Sequence, residues 1–164
     1  MQEKEFVELL NRHQNIIHKI CNVYMDEQAD KEDLFQEITL QAWRSIHNFR
    51  GDAQFSTWLY RVALNTAITF FKKEQKQSHT SFTEHFTDIT EQPSSIEDQV
   101  QAMYKAISQL SKIDKALVML YLDDYSYKEM AEIIGITVTN VGAKMNRIKT
   151  KLKEETKKYY HPTN

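Results

Sequence analysis

Three glycines, Gly51, Gly135 and Gly142, and two prolines, Pro93 and Pro162, are all the glycine and proline in 164 residues. A many-stranded sheet needs frequent tight turns, and those turns draw on glycine and proline. A chain this poor in both is expected to be all-α. No repeat at a fixed period is visible, so a solenoid is not indicated.

Apolar spacing divides the chain into helices. Phe6, Leu10, His13, Ile17, Ile20 and Tyr24 alternate steps of three and four, the mark of one amphipathic face. After the polar break DEQAD, Asp30 is placed to cap a second helix whose apolar positions Leu34, Ile38, Ala42 and Ile46 fall four apart. The loop NFRGDAQ leads into a third helix, from about Phe55 to Lys76, with Phe55, Leu59, Val62, Thr66 and Phe70 on one side. Three such helices close a small core.

The stretch SHTSFTEHFTDITEQPSSI then breaks the pattern: it is rich in Ser and Thr, contains Pro93 and holds no Lys or Arg. This reads as a flexible acidic linker over 78–95. It separates a first helical domain, 1–77, from a second, 96–164. Periodicity resumes there with Val100, Met103, Ile107 and Leu110, then with Ala116, Leu117, Leu120 and Tyr121.

Charge is distributed unevenly about a net of −2. Residues 48–77 hold five basic and two acidic side chains and 126–164 hold eight and four, whereas 1–47 hold five and nine. Two basic islands in an acidic chain suggest two separate polyanion contacts.

The second island has local order. Ser126-Tyr127-Lys128-Glu129 has the capping-box pattern that opens a helix, Met130, Ala131, Ile133 and Ile134 give that helix an apolar face, and Gly135 supplies the left-handed residue that ends it. Thr137 can cap the next helix. Helix, short turn with glycine, helix is the helix-turn-helix arrangement, whose second helix enters the major groove. In that second helix Val138, Val141, Met145, Ile148 and Leu152 fall on the core side. Thr139, Ala143, Asn146, Arg147 and Thr150 then lie opposite, with Lys144, Lys149 and Lys151 flanking them. Small polar groups at the centre with cations at the edges suit base edges flanked by phosphates. Val138 to Lys153 carry five cations and no acid, which favours a nucleic-acid contact over an ordinary solvated face.

Other classes fit poorly. The single cysteine, Cys21, excludes an intramolecular disulfide, and although His18 stands three residues away, no second pair at zinc spacing exists. Cys21 reads as a small buried residue and His13 as a core histidine. The start, MQEKEF, lacks a signal-like pattern and the longest apolar run, Ala116 to Leu122, is too short to span a bilayer, so a soluble cytoplasmic protein with no membrane insertion is expected. There is no phosphate-binding glycine loop or zinc-ligand array, hence no catalytic site, metal or cofactor is expected.

The strings DKEDLFQEITLQAWR (Asp30–Arg44) and NFRGDAQFSTWLYRVALN (Asn48–Asn65) resemble the extracytoplasmic-function sigma factors of bacterial RNA polymerase, part of the sigma-70 family. The first string is similar to region 2.2, the second to regions 2.3 and 2.4, and the chain from about Ile96 onward to region 4. The resemblance implies a promoter-specificity subunit that is not itself an enzyme, with core polymerase (clamp coiled coil and flap), promoter DNA and an anti-sigma factor as partners. It assigns core binding to Asp33, Gln36 and Glu37, and capture of the unwound −10 element to Phe49, Arg50, Gly51 and Asp52. Trp58, Arg61, Asn65 and Lys72 fall along one flank of the third helix, an aromatic, two cations and an amide suited to single-stranded DNA, and extend that set. For the −35 element the candidates are Thr139, Asn140, Ala143, Lys144, Asn146, Arg147, Lys149 and Lys151. Gly142 departs from the family, since many relatives carry Lys or Arg there. In relatives the segment between the domains threads polymerase channels, so the resemblance implies an acidic strand here that imitates nucleic acid, while its composition fits a disordered tether at least as well. An autonomous helix-turn-helix regulator would explain Ser126 to Lys153, but not the Trp58 flank or the acidic second helix.

Overall fold

Helices Glu3–Tyr24 (α1), Gln28–Ser45 (α2) and Phe55–Gln77 (α3) make an N-terminal bundle in the computed structural model, with a 3₁₀ turn, Ile46–Asn48, closing α2. Ile96–Ser108 (α4), Lys112–Leu122 (α5), Tyr127–Ile134 (α6) and Val138–Lys157 (α7) make a C-terminal bundle. The structure describes residues 1–77 and 96–157, with only the backbone over 71–77, and the described residues contain no strand. The expected linker over 78–95 lies outside them.

The N-terminal core follows the spacing. Ile17 and Ile20 of α1 and Leu34, Ile38 and Ala42 of α2 are completely buried, and α3 packs against both helices. On α3 the buried stripe is Phe55, Leu59, Tyr60, Ala63, Leu64, Thr66 and Ala67, while Val62 and Phe70 are half-buried. The expected seam is shifted because the C-terminal bundle covers the Tyr60 flank of α3. The start of α2 also differs from expectation. Gln28 opens the helix, its N-cap Glu27 makes no side-chain cap, and Asp30 sits in the first turn. Gln28 and Ala29 are good helix formers, so the helix extends past the Asp30 position, where the carboxylate still complements the positive helix end.

In the C-terminal bundle Leu117, Leu120, Met130, Val141 and Met145 form the centre. Val138, expected in the core, is 49% exposed because the buried seam of α7 begins one turn later, at Val141. Val100 and Met103 are likewise exposed, and burial on α4 starts at Ala106 and Ile107. Cys21 is buried, and burial pushes its thiol pKa up to about 11, which leaves the sulfur inert at neutral pH. His18 stacks on Phe35 with ring centroids 4.8 Å apart, and half-buried His13 lies 5.5 Å from Phe55. No helix among the described residues is long and apolar enough to cross a membrane.

Gly142 lies inside α7, and a Cβ built there meets no atom within 4 Å. Gly142→Ala should therefore raise stability by about 0.5–1 kcal/mol. Thermal unfolding of the two proteins followed by circular dichroism checks this. A lower midpoint for the variant would show that glycine is needed at this position for the fold.

Candidate nucleic-acid interface

The helix-turn-helix is built by three caps. Ser126 Oγ accepts from the Glu129 amide at 3.1 Å while Glu129 Oε2 accepts from the Ser126 amide at 2.8 Å, a complete capping box. Gly135, at φ +85°, lets its own amide and that of Ile136 reach the Ala131 carbonyl at 2.8 and 3.2 Å. Thr137 Oγ1 then accepts from the Asn140 amide at 3.1 Å and starts α7.

Burial of Val141, Met145 and Ile148 fixes which face of α7 looks outward. Thr139, Asn140, Ala143, Asn146, Arg147, Thr150 and Lys151 are exposed on it, and Lys144 is half-buried at its edge. Lys149 differs from the other cations. Its ammonium sits 4.6 Å from the Tyr121 ring centroid and 5.9 Å from that of Tyr127, and donates to the Tyr127 hydroxyl at 3.3 Å. Those contacts, led by the Tyr127 hydroxyl, raise its pKa. Lys149 thus braces α7 against α5 and α6, and Tyr121, expected in the core, is instead 41% exposed beneath the cation.

A second site lies at the start of α3. Phe49, Phe55 and Trp58 form a ring cluster with centroids 5.4 to 5.8 Å apart, in which Phe55 is buried and Phe49 and Trp58 are half-buried. Trp58 is therefore neither a core residue nor a free surface ring. The exposed Arg50, Gly51 and Asp52 make the turn beside it, with Gly51 at φ +79°. Asn48, Phe49, Arg50, Asp52, Trp58 and Arg61 line a cleft of about 230 Å³, whose far wall is Glu129, Glu132 and Ile133 of α6. Asn65 does not reach this cleft. It lines a separate groove of about 350 Å³ between α2 and α3 with Glu37, Gln41, Ser45, Thr66 and Thr69. Seven residues of helix carry it roughly 10 Å along the axis from Trp58, so a shared flank is not a shared pocket. The Lys72 side chain lies outside the described residues.

The outer face of α2 carries exposed Asp33 and Gln36 and half-buried Glu37, whose carboxylate accepts from Gln41 Nε2 at 2.9 Å. Leu40 and Trp43 continue this face, 41% and 46% exposed, with the Trp43 ring 5.2 Å from Phe6. Sequence reasoning passed over both. Their signal was available, since neither falls on the Leu34–Ile38–Ala42 seam and Gln36, Leu40 and Trp43 share one helix face.

Comparison with known proteins bears on all three surfaces. The family profile described as Sigma-70 region 2 matches residues 9–77, and that described as Sigma-70, region 4 matches 100–152. The chain is 28% identical over 159 residues to the ECF RNA polymerase sigma-E factor of Escherichia coli K12, covering 88% of this chain and 83% of that protein. With its Haemophilus influenzae counterpart the identity is 27%, covering 88% and 84%. Among solved structures, the sigma factor RpoE in complex with the anti-sigma factor NepR from Bartonella quintana superposes with a TM-score of 0.75 at 22% identity, covering 94% of this chain and 98% of that one. CnrH in complex with the cytosolic domain of CnrY gives 0.65 at 18%, covering 93% and 88%. Both structural likenesses concern the fold.

Proposed function

As a member of the sigma-70 family, in its extracytoplasmic-function branch, this chain directs RNA polymerase to promoters, and we propose that it does so with three separate surfaces. The outer face of α2, with Asp33, Gln36 and Glu37, docks on the clamp coiled coil of core polymerase, while the C-terminal bundle engages the flap. The cleft of Phe49, Arg50, Asp52, Trp58 and Arg61, with Gly51 in the turn beside it, holds the unwound −10 strand, with Asn65 and Lys72 farther along α3. The exposed face of α7 reads the −35 duplex.

The observation that carries this reading is the sidedness of α7: the seam of Val141, Met145 and Ile148 is buried, and the opposite face, without an acid from Val138 to Lys153, is open. Arg147 stands at the centre of that face, and Lys144 and Lys151 serve phosphates at its margins. Lys149 contributes by holding the helix in place. The polymerase performs the chemistry and this chain supplies recognition, working in the cytoplasm where polymerase acts. An anti-sigma factor, like the one in complex with the Bartonella relative, is the regulator we expect.

Free protein should bind promoter duplex weakly, because the cations of α7 are few and the chain is net acidic. Specific binding should emerge with core polymerase. An electrophoretic shift with protein, core, and both together tests this; tight sequence-specific binding by the free chain, with no capture of core, would favour an autonomous regulator. In the same assay Arg147→Ala should weaken promoter binding by about 1–3 kcal/mol if its guanidinium pairs with a base. Unchanged transcription from a −35-dependent promoter would remove Arg147 from the interface.

A further inference from the structure

Nothing among the described residues explains Gly142. Glycine within a helix costs stability relative to alanine, and it is usually found where the backbone turns left-handed or another group comes close. Neither holds inside this chain. Gly142 lies in the second turn of α7, its φ is not positive, and a Cβ built on it meets no atom within 4 Å. The neighbour that a bare Cα admits therefore lies outside the chain.

Its place on α7 identifies that neighbour. The N-terminal turns of a recognition helix are the part that meets base edges, and Gly142 stands there, half-buried, between the exposed face and the seam of Val141 and Met145. One turn later on the same flank is exposed Asn146. Helical side chains lean toward the N-terminus, so the patch above Gly142 is the one that Asn146 overhangs. Farther along this flank Lys149 is drawn down onto Tyr121 and Tyr127. Asn146 and buried Met145 are thus the side chains on this flank between Gly142 and Lys149, and the backbone can approach a partner closely. The opposite flank carries Lys144 and Lys151, whose length suits phosphates.

Close approach matters most to a short side chain. The Asn146 carboxamide makes no hydrogen bond among the described residues, while its backbone carbonyl accepts from Thr150 Oγ1 at 3.0 Å. A carboxamide presents a donor and an acceptor side by side, the complement of adenine N7 and its N6 amino group. Arg147 offers donors alone, which suit guanine, and its length tolerates a helix that stands farther off. Asparagine reaches a base edge only when the backbone sits deep in the groove. A side chain at position 142 would hold it out.

Resting on the reading of α7 as the −35 helix, we propose that Gly142 and Asn146 are a specificity-determining pair. The bare Cα of Gly142 lets α7 settle into the major groove, and Asn146 there reads an adenine through N6 and N7. The −35 element that this chain selects therefore contains an A·T pair beneath Asn146.

The test uses the full chain with core polymerase in an electrophoretic shift on a promoter mapped for this protein. Each −35 adenine is replaced in turn by 7-deazaadenine, which pairs normally but lacks the N7 acceptor. One such replacement should weaken wild-type binding about fivefold or more. Asn146→Ala should lose roughly tenfold on the native promoter and be indifferent to that replacement. Gly142→Gln, which installs a neutral helix former, should melt no lower than wild type, yet lose about fivefold in affinity and most of its response to 7-deazaadenine. A glycine with only a structural role does not separate stability from recognition in this way. A mapped −35 element without an A·T pair overturns the proposal, as does Asn146→Ala with wild-type affinity or Gly142→Gln with the full response to 7-deazaadenine. Equal binding of native and scrambled −35 elements would instead overturn the assignment of α7 to the −35 duplex, and the pair falls with it.

Discussion

Reversing two charges on α2, Asp33→Lys with Glu37→Lys, is expected to abolish promoter-specific transcription while the protein stays folded. Asp33 is exposed, and Glu37 gives up only a hydrogen bond to Gln41 one helical turn away. Surface changes of this sort usually alter stability by no more than about 0.5 kcal/mol. At a docking surface the same reversal sets like charge against the groups that received Asp33 and Glu37, at several kcal/mol, or roughly a hundredfold or more in affinity. Leu40 and Trp43 beside them supply an apolar centre that the reversal leaves intact, so the loss isolates the charged contact. Co-purification with core polymerase and run-off transcription measure it, and circular dichroism reports the fold. Full core binding by the double variant would move the docking surface elsewhere on the chain.

Trp58→Ala is expected to uncouple promoter binding from promoter opening. Stacking of an unpaired base on an aromatic ring contributes about 1–3 kcal/mol, so open complexes detected by permanganate should fall roughly tenfold to a hundredfold. Core binding and closed complexes, which we assign to α2 and α7, should persist. The ring also packs on Phe49 and on buried Phe55, so its removal costs some stability as well. Trp58→Phe separates the two roles: it keeps an aromatic face in the cluster and should restore most of the opening. If Trp58→Ala unfolds the N-terminal bundle and Trp58→Phe opens promoters no better than alanine, the tryptophan acts only through packing.

Sequence by itself determined the all-helical class and the helix-turn-helix. The rarity of glycine and proline, the spacing of Leu34, Ile38 and Ala42, and the pattern from Ser126 to Thr137 are local or periodic properties. Helix periodicity and capping act within a few residues, so such signals survive intact in a linear string. The outward face of α7 was legible for the same reason, because burial of Val141, Met145 and Ile148 dictates what lies opposite. Errors of detail also had local causes: the start of α2 slipped past Asp30 because no side chain there competes with helix extension.

Only the tertiary structure decided which of the legible residues share a pocket and which are already engaged. Asn65 parts from Trp58 because a groove is bounded by a neighbouring helix, which spacing along one helix does not specify. Lys149 binds Tyr121 and Tyr127, and Arg61 binds the Glu132 carbonyl 71 residues away; charge counting cannot distinguish a cation held by its own protein from one offered to DNA. The shifted seam of α3 has the same origin. Tyr60 is buried because Asp123 and Tyr125 of the C-terminal bundle come to rest against it, and contacts between residues distant in sequence arise from packing two surfaces together, a property of their shapes rather than of either local pattern.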